Sequence, residues 1–144
     1  MKCLIVGDGP ERDKIKKLIS DYNLPVTLFG YAKDSKEIAE LINRSKLLVM
    51  TSYNEGGPRV VVEAMACGVP VLATPVGIVP DLLKNNQGGE IIAWDEEDIA
   101  KKARALLNDS ERYNKLSNEA VEIAKQFEKK SAIKNYADKL QSLI

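Results

Sequence analysis

Glu55 and Glu63 stand eight positions apart, on either side of a Gly56-Gly57-Pro58-Arg59 segment. A carboxylate accepts hydrogen bonds in a fork, which suits the vicinal hydroxyls of a ribose or a hexose. Glycines let backbone N–H groups come close to a ligand. A helix start adds unpaired donors and the positive end of a dipole. Two carboxylates flanking such a start could hold the two sugars on either side of a diphosphate, with Arg59 in the first turn. The spacing by itself is weak, since Glu111 and Glu119 repeat it where nothing suggests a site. Simpler readings stand beside this one. The glycines are ordinary turn residues, Glu63 is a solvent-facing helix residue, and Glu55 is an acid near a helix N-terminus, worth ~0.3–1 kcal/mol.

Other chemistry is scarce. The chain has no histidine, which removes the commonest general base and the Ser/His and Cys/His pairs. Cys3 and Cys67 are too few for a disulfide framework or a four-ligand zinc site. Among apolar neighbours they read as small buried thiols. Gly7-Asp8-Gly9 begins a dinucleotide fingerprint, but Arg12 stands where the third glycine belongs. No Gly-Lys-Ser/Thr of a Walker motif is present. Trp94, the only tryptophan, reads as packing, and the lysine-rich stretches 12–17 and 129–134 as solvated helix faces.

The elements that must position Glu55 and Glu63 follow from periodicity. Short apolar runs alternate with amphipathic helical patterns, the layout of βαβ units and a parallel sheet. Strands are expected at Cys3–Val6, Val26–Phe29, Leu47–Thr51, Val69–Ala73 and Glu90–Ala93. A helix over 11–22 carries Ile15, Leu18, Ile19 and Tyr22 on one face. Asp34 caps the next, with Glu37 placed as in a capping box. Arg59-Val60-Val61-Val62 has strand propensity, but Pro58 before it and Gly68 after it favour a helix over 58–67. Pro80 opens a short helix through Lys84, 85–89 form a turn, Asp95 caps a helix, and two more follow near 110–127 and 131–143.

The 144 residues carry 21 basic and 21 acidic side chains, for a net charge of zero. That length suits one domain, 1–144, able to bury roughly two thirds of its unfolded surface. Neutral charge argues against a dedicated nucleic-acid or anionic-membrane binder. The N-terminal apolar run is too short for a signal peptide or a membrane span. A cytoplasmic location is expected.

The stretch Glu55-Gly56-Gly57-Pro58-Arg59-Val60-Val61-Val62-Glu63-Ala64-Met65-Ala66-Cys67-Gly68-Val69-Pro70-Val71 resembles the Glu-x7-Glu signature of family 4 retaining glycosyltransferases, within the group 1 glycosyltransferases. Ile5-Val6-Gly7-Asp8-Gly9-Pro10 and Leu28-Phe29-Gly30 resemble that family's second and third strands with their turns. Gly77 and Gly88-Gly89 fall at later turns. The resemblance implies an α/β, Rossmann-like parallel sheet of about five strands flanked by helices. This is the C-terminal, donor-binding half of a GT-B enzyme, beginning at the second strand. The missing first strand is central in the 3-2-1-4-5-6 order of such sheets, and the family's diphosphate-facing Arg and Lys would be missing with it.

Carried over, Glu55 would bind the donor sugar and Glu63 the ribose. Backbone N–H groups of Gly57, Arg59, Val60 and Val61 would serve the sugar and diphosphate. Tyr31 and Ala32 would lie where the base is contacted. Gly57 stands where a bulky apolar residue is common in the family. The implied partner is a nucleotide-sugar such as UDP- or GDP-hexose, with no metal and no other cofactor. The acceptor, and any membrane association, would belong to a separate N-terminal half, so the chain alone is expected not to turn over. The alternative is a non-catalytic module that binds a nucleotide or sugar phosphate.

Overall fold

The computed structural model describes residues 2–141. Five parallel strands and seven α-helices alternate as the periodicity implies: β1 (Cys3–Val6), α1 (Arg12–Asp21), β2 (Val26–Gly30), α2 (Ser35–Asn43), β3 (Leu48–Met50), α3 (Arg59–Ala66), β4 (Val71–Ala73), α4 (Val79–Leu82), β5 (Gly89–Ile91), α5 (Glu96–Asn108), α6 (Ser110–Ala124) and α7 (Lys129–Gln141). Short 3₁₀ turns follow α4 and α6, at Lys84–Asn86 and Lys125–Phe127. The helix expected over 110–127 therefore ends in a tighter turn. The last residues of the one expected over 131–143 lie outside those described.

The strands form two sheets rather than one. One is β1-β2 and the other is β3-β4-β5. The chain correspondingly divides into two compact units, 1–38 and 39–144.

In the first unit β1 and β2 pair in register from Cys3 with Val26. Asp34 caps α2 by accepting the Glu37 N–H at 2.8 Å. Glu37 reciprocates one residue further out, accepting the Lys33 N–H at 2.7 Å. Parallel sheets normally have both faces covered, yet every residue of β1 is exposed. Among residues 2–38 only Gly30 is buried. Cys3 is therefore exposed, not the buried thiol expected. Cys67 is half-buried, its thiol pushed up by burial and then by the Glu63 carboxylate.

The core lies in the second unit. All of β4 is fully buried, and Leu72 clusters with Ile92 and Ala103. The helical choice for 59–66 holds because α3 buries Val61, Ala64 and Met65. It packs against α6, whose buried Leu116, Ala120 and Ala124 recur every fourth position, one face of a helix. Gly68, at φ +69°, ends α3 in a Schellman motif. Its N–H donates to the Met65 carbonyl, and that of Val69 to Ala64. Glu90 of β5 is buried but paired, accepting from Arg112 Nη2 of α6 at 2.7 Å. No helix among the described residues is long and apolar enough to cross a membrane.

This distribution sets the order of local opening, since segments with little buried apolar contact open at lower free energy. In native-state hydrogen exchange the Ile5 and Leu28 amides should exchange well before that of Leu72. Equal protection would contradict this reading of where the core lies.

Candidate functional site

β3, β4 and β5 are parallel, so their carboxyl ends share one edge, and three loops leave it. Ligands of open α/β sheets bind beyond this edge. The first loop runs from Thr51 to Pro58 and carries Glu55, Gly56 and Gly57, all exposed. Nothing lies within 4 Å of a Cβ at Gly56 or Gly57, so this part of the loop is open.

Neighbouring loops hold the segment in place. The Ser52 carbonyl accepts two hydrogen bonds, from Thr74 Oγ1 at 2.6 Å and from the Trp94 indole Nε1 at 3.0 Å. Thr74 is fully buried just past β4, and its N–H donates to Met50 at 3.0 Å. Trp94 lies just past β5. It is half-exposed and stacked on Tyr53, with centroids 5.9 Å apart and planes 7° apart, rather than buried in the core. The residues around it are fixed in turn. The Ala93 N–H donates to Asp98 Oδ2 at 2.9 Å, and Asp95 caps α5 through the Asp98 N–H at 2.8 Å. Asp98 also accepts from Lys102 at 2.8 Å. That bond first, and the one from Ala93 second, hold its carboxyl below the usual range.

Gly77 supplies the last constraint. Its φ is +53°, and a Cβ there would fall far inside contact distance of the Glu55 and Gly56 carbonyl oxygens. The loop reaches its position only because residue 77 has no side chain. Ser52 Oγ then donates to Glu55 Oε1 at 3.2 Å.

The loop ends at Pro58, which is buried and is the N-cap of α3 rather than its first residue, with φ −68° and ψ 99°. The Val61 N–H donates to the Pro58 carbonyl at 3.1 Å. Val61 is fully buried, so its amide is not open to a ligand as expected. By the geometry of a helix start, the Arg59 and Val60 N–H groups have no intrahelical partner. Glu63 lies one turn further, its side chain 34% exposed, with Arg59 Nη2 3.9 Å from its Oε1. A groove of about 730 Å³ runs beside it, lined by Gly57, Arg59, Glu63, Val121, Lys125 and Phe127 among others.

Six of the expected residues are thus brought into one loop and helix start: Glu55, Gly57, Arg59, Val60, Val61 and Glu63. Tyr31 and Ala32 belong to the first unit, directly after β2. There the Tyr31 hydroxyl donates to the Asp8 carbonyl at 3.2 Å, which ties the β2 turn to the Gly7–Gly9 turn. Sequence reasoning missed Thr74, Gly77 and the Tyr53–Trp94 pair as supports of the loop. The signals were small: a Thr closing an apolar strand, and a lone Trp just past another.

Comparison with known proteins gives the family and the fold. The sequence profile of the family "Glycosyl transferases group 1" matches residues 1–123, and the chain belongs to that family. N-acetyl-alpha-D-glucosaminyl L-malate synthase of Bacillus anthracis is 32% identical over 137 residues, 94% of this chain and 36% of that protein. Sulfoquinovosyl transferase SQD2 of Arabidopsis thaliana is 30% identical over 91% of this chain and 26% of its own length. The chain therefore spans about a third of these relatives. HepE of Anabaena, solved in complex with UDP, superposes with a TM-score of 0.83 at 27% identity, covering 99% of this chain and 41% of its own. The α/β fold is that of the C-terminal part of GT-B glycosyltransferases.

Two glycine substitutions separate support from mere presence. Gly57→Ala meets open space at an ordinary φ, so it should raise stability by ~0.4–1 kcal/mol through the unfolded chain. Gly77→Ala combines a left-handed φ, costing ~1–2 kcal/mol, with a clash that displaces Glu55. Thermal melts should move in opposite directions. A Gly77→Ala protein as stable as the parent would remove Gly77 as the loop's support.

Proposed function

We propose that this chain is the donor-binding part of a retaining, family 4 glycosyltransferase that moves a hexosyl group from a nucleoside diphosphate sugar. The observation that carries the reading is the Glu55–Glu63 segment: two carboxylates flanking an open helix start, on a loop fixed by its neighbours. The UDP held by HepE, a related fold, supports a uridine or similar nucleotide as the donor's leaving group.

Each group has a role set by its chemistry. Glu63, half-buried on α3, takes the two ribose hydroxyls in a fork. Glu55, exposed at the loop tip, takes hydroxyls of the transferred sugar. The Arg59 and Val60 N–H groups, with the Gly57 N–H and the α3 dipole, face the diphosphate. The Arg59 guanidinium supplies a cation near the charge that grows on the leaving group. These roles need no metal, and binding is expected to persist in EDTA. The chain alone is proposed to bind the donor without transferring it, the acceptor being held elsewhere.

Calorimetric titration with UDP, GDP and ADP in EDTA tests this. One nucleotide should bind, and Glu63→Gln should weaken it about tenfold, the low end of a charge-assisted bond because Glu63 is partly solvated. Glu55→Gln should leave nucleoside diphosphate binding unchanged and weaken only the nucleotide-sugar. Equal effects of both substitutions on UDP would contradict the assigned roles. Sugar transfer by the 144-residue chain would overturn its proposed inactivity.

A further inference from the structure

Tyr53 and Trp94 form an aromatic surface that the roles above do not use. Their rings stack in parallel, yet Tyr53 is 82% and Trp94 46% exposed. A pair serving only to pack would bury most of the 150–250 Å² each such side chain offers. Trp94 is also held in place. The indole N–H is committed to the Ser52 carbonyl, and Trp94 sits between Ala93 and Asp95, both bonded to Asp98. What it offers a ligand is a flat, electron-rich face with no indole donor left to give.

The surroundings narrow the ligand. Glu55, a forked acceptor for hydroxyls, lies two residues along the same loop, and Asp95 adjoins Trp94. An exposed aromatic face on the loop that carries Glu55 matches a pyranose. The C–H bonds of one sugar face lie on the aromatic ring, and the hydroxyls radiate towards acceptors. We propose that Tyr53 and Trp94 form a stacking platform for a pyranose ring beside Glu55. The inference rests on reading the Glu55 loop as sugar-handling. The ring comes from one of two sources with the same chemistry, the donor's hexosyl group or a sugar unit of the acceptor.

Trp94 is the only tryptophan, so its fluorescence reports on this platform alone. The chain is titrated with methyl α-glucopyranoside, maltotriose, UDP and UDP-glucose, as are the Tyr53→Ala and Tyr53→Phe variants. A saccharide should shift Trp94 emission to the blue. Tyr53→Ala should weaken that saccharide about three- to tenfold, as expected for loss of one aromatic contact. Tyr53→Phe, which keeps the ring, should bind as the parent does. A response to the free glycosides assigns the platform to an acceptor sugar. A response to UDP-glucose beyond that to UDP assigns it to the donor's hexosyl. No saccharide response, a UDP response equal to that of UDP-glucose with none to the glycosides, or saccharide binding untouched by Tyr53→Ala would overturn the proposal. Failure of the donor reading shows separately, as absent calorimetric binding of every nucleoside diphosphate.

Discussion

The Ser52 carbonyl and the bare α-carbon of Gly77 decide where Glu55 can be. The loop from Thr51 to Pro58 contains two adjacent glycines in open space and is too exposed to be held by burial. Ser52 accepts from the Thr74 hydroxyl and the Trp94 indole, so three loops from the ends of β3, β4 and β5 meet on one oxygen. Gly77 lets the Glu55 and Gly56 carbonyls approach more closely than any side chain would permit. A carboxylate's place at the sheet edge thus depends on contacts distant in sequence, which gives a flexible composition a defined geometry.

Glu63 is positioned by different means. It rides on α3, whose other face buries Val61, Ala64 and Met65 and packs against α6. The Schellman end at Gly68 fixes the helix's far terminus. There Ser117 of α6 donates its hydroxyl to the Gly68 carbonyl at 2.6 Å. The buried Glu90, paired with Arg112, links β5 to the same helix. A buried carboxylate deprived of such a partner is costly, so this pair ties the register of α6 to the sheet. One carboxylate of the site is therefore anchored by the core and the other by loop contacts. They should respond differently to perturbation.

Much of this was legible in the sequence. The strand–helix alternation, Asp34 and Asp95 as helix caps, and the Gly68 stop all follow from local rules, because caps and periodicity are local. The Val60-Val61-Val62 conflict resolved to helix because α3 has β3, β4 and α6 to pack against, a fact of packing rather than propensity. The division into two sheets depends on which strands pair, and local patterns are silent on that. Cys3 looked buried because its neighbours are apolar, but apolar neighbours do not guarantee a cover for β1. Among the candidate site residues, Glu55, Arg59 and Glu63 were visible as types and spacing. The Val61 amide was not separable from its neighbours until its bond to Pro58 was seen. Gly77 and Thr74 were invisible as supports, since their importance lies in what they approach.

The central claim is that the loop and the start of α3 form a nucleotide site. Amide chemical-shift mapping of the ¹⁵N-labelled chain with UDP tests it most directly. The account predicts saturable shifts at Gly57, Arg59, Val60 and Glu63, with Leu72 and Ala103 in the core nearly still. Saturable shifts confined to another surface, such as the hollow lined by Gln87, Asn118 and Glu122, would contradict it.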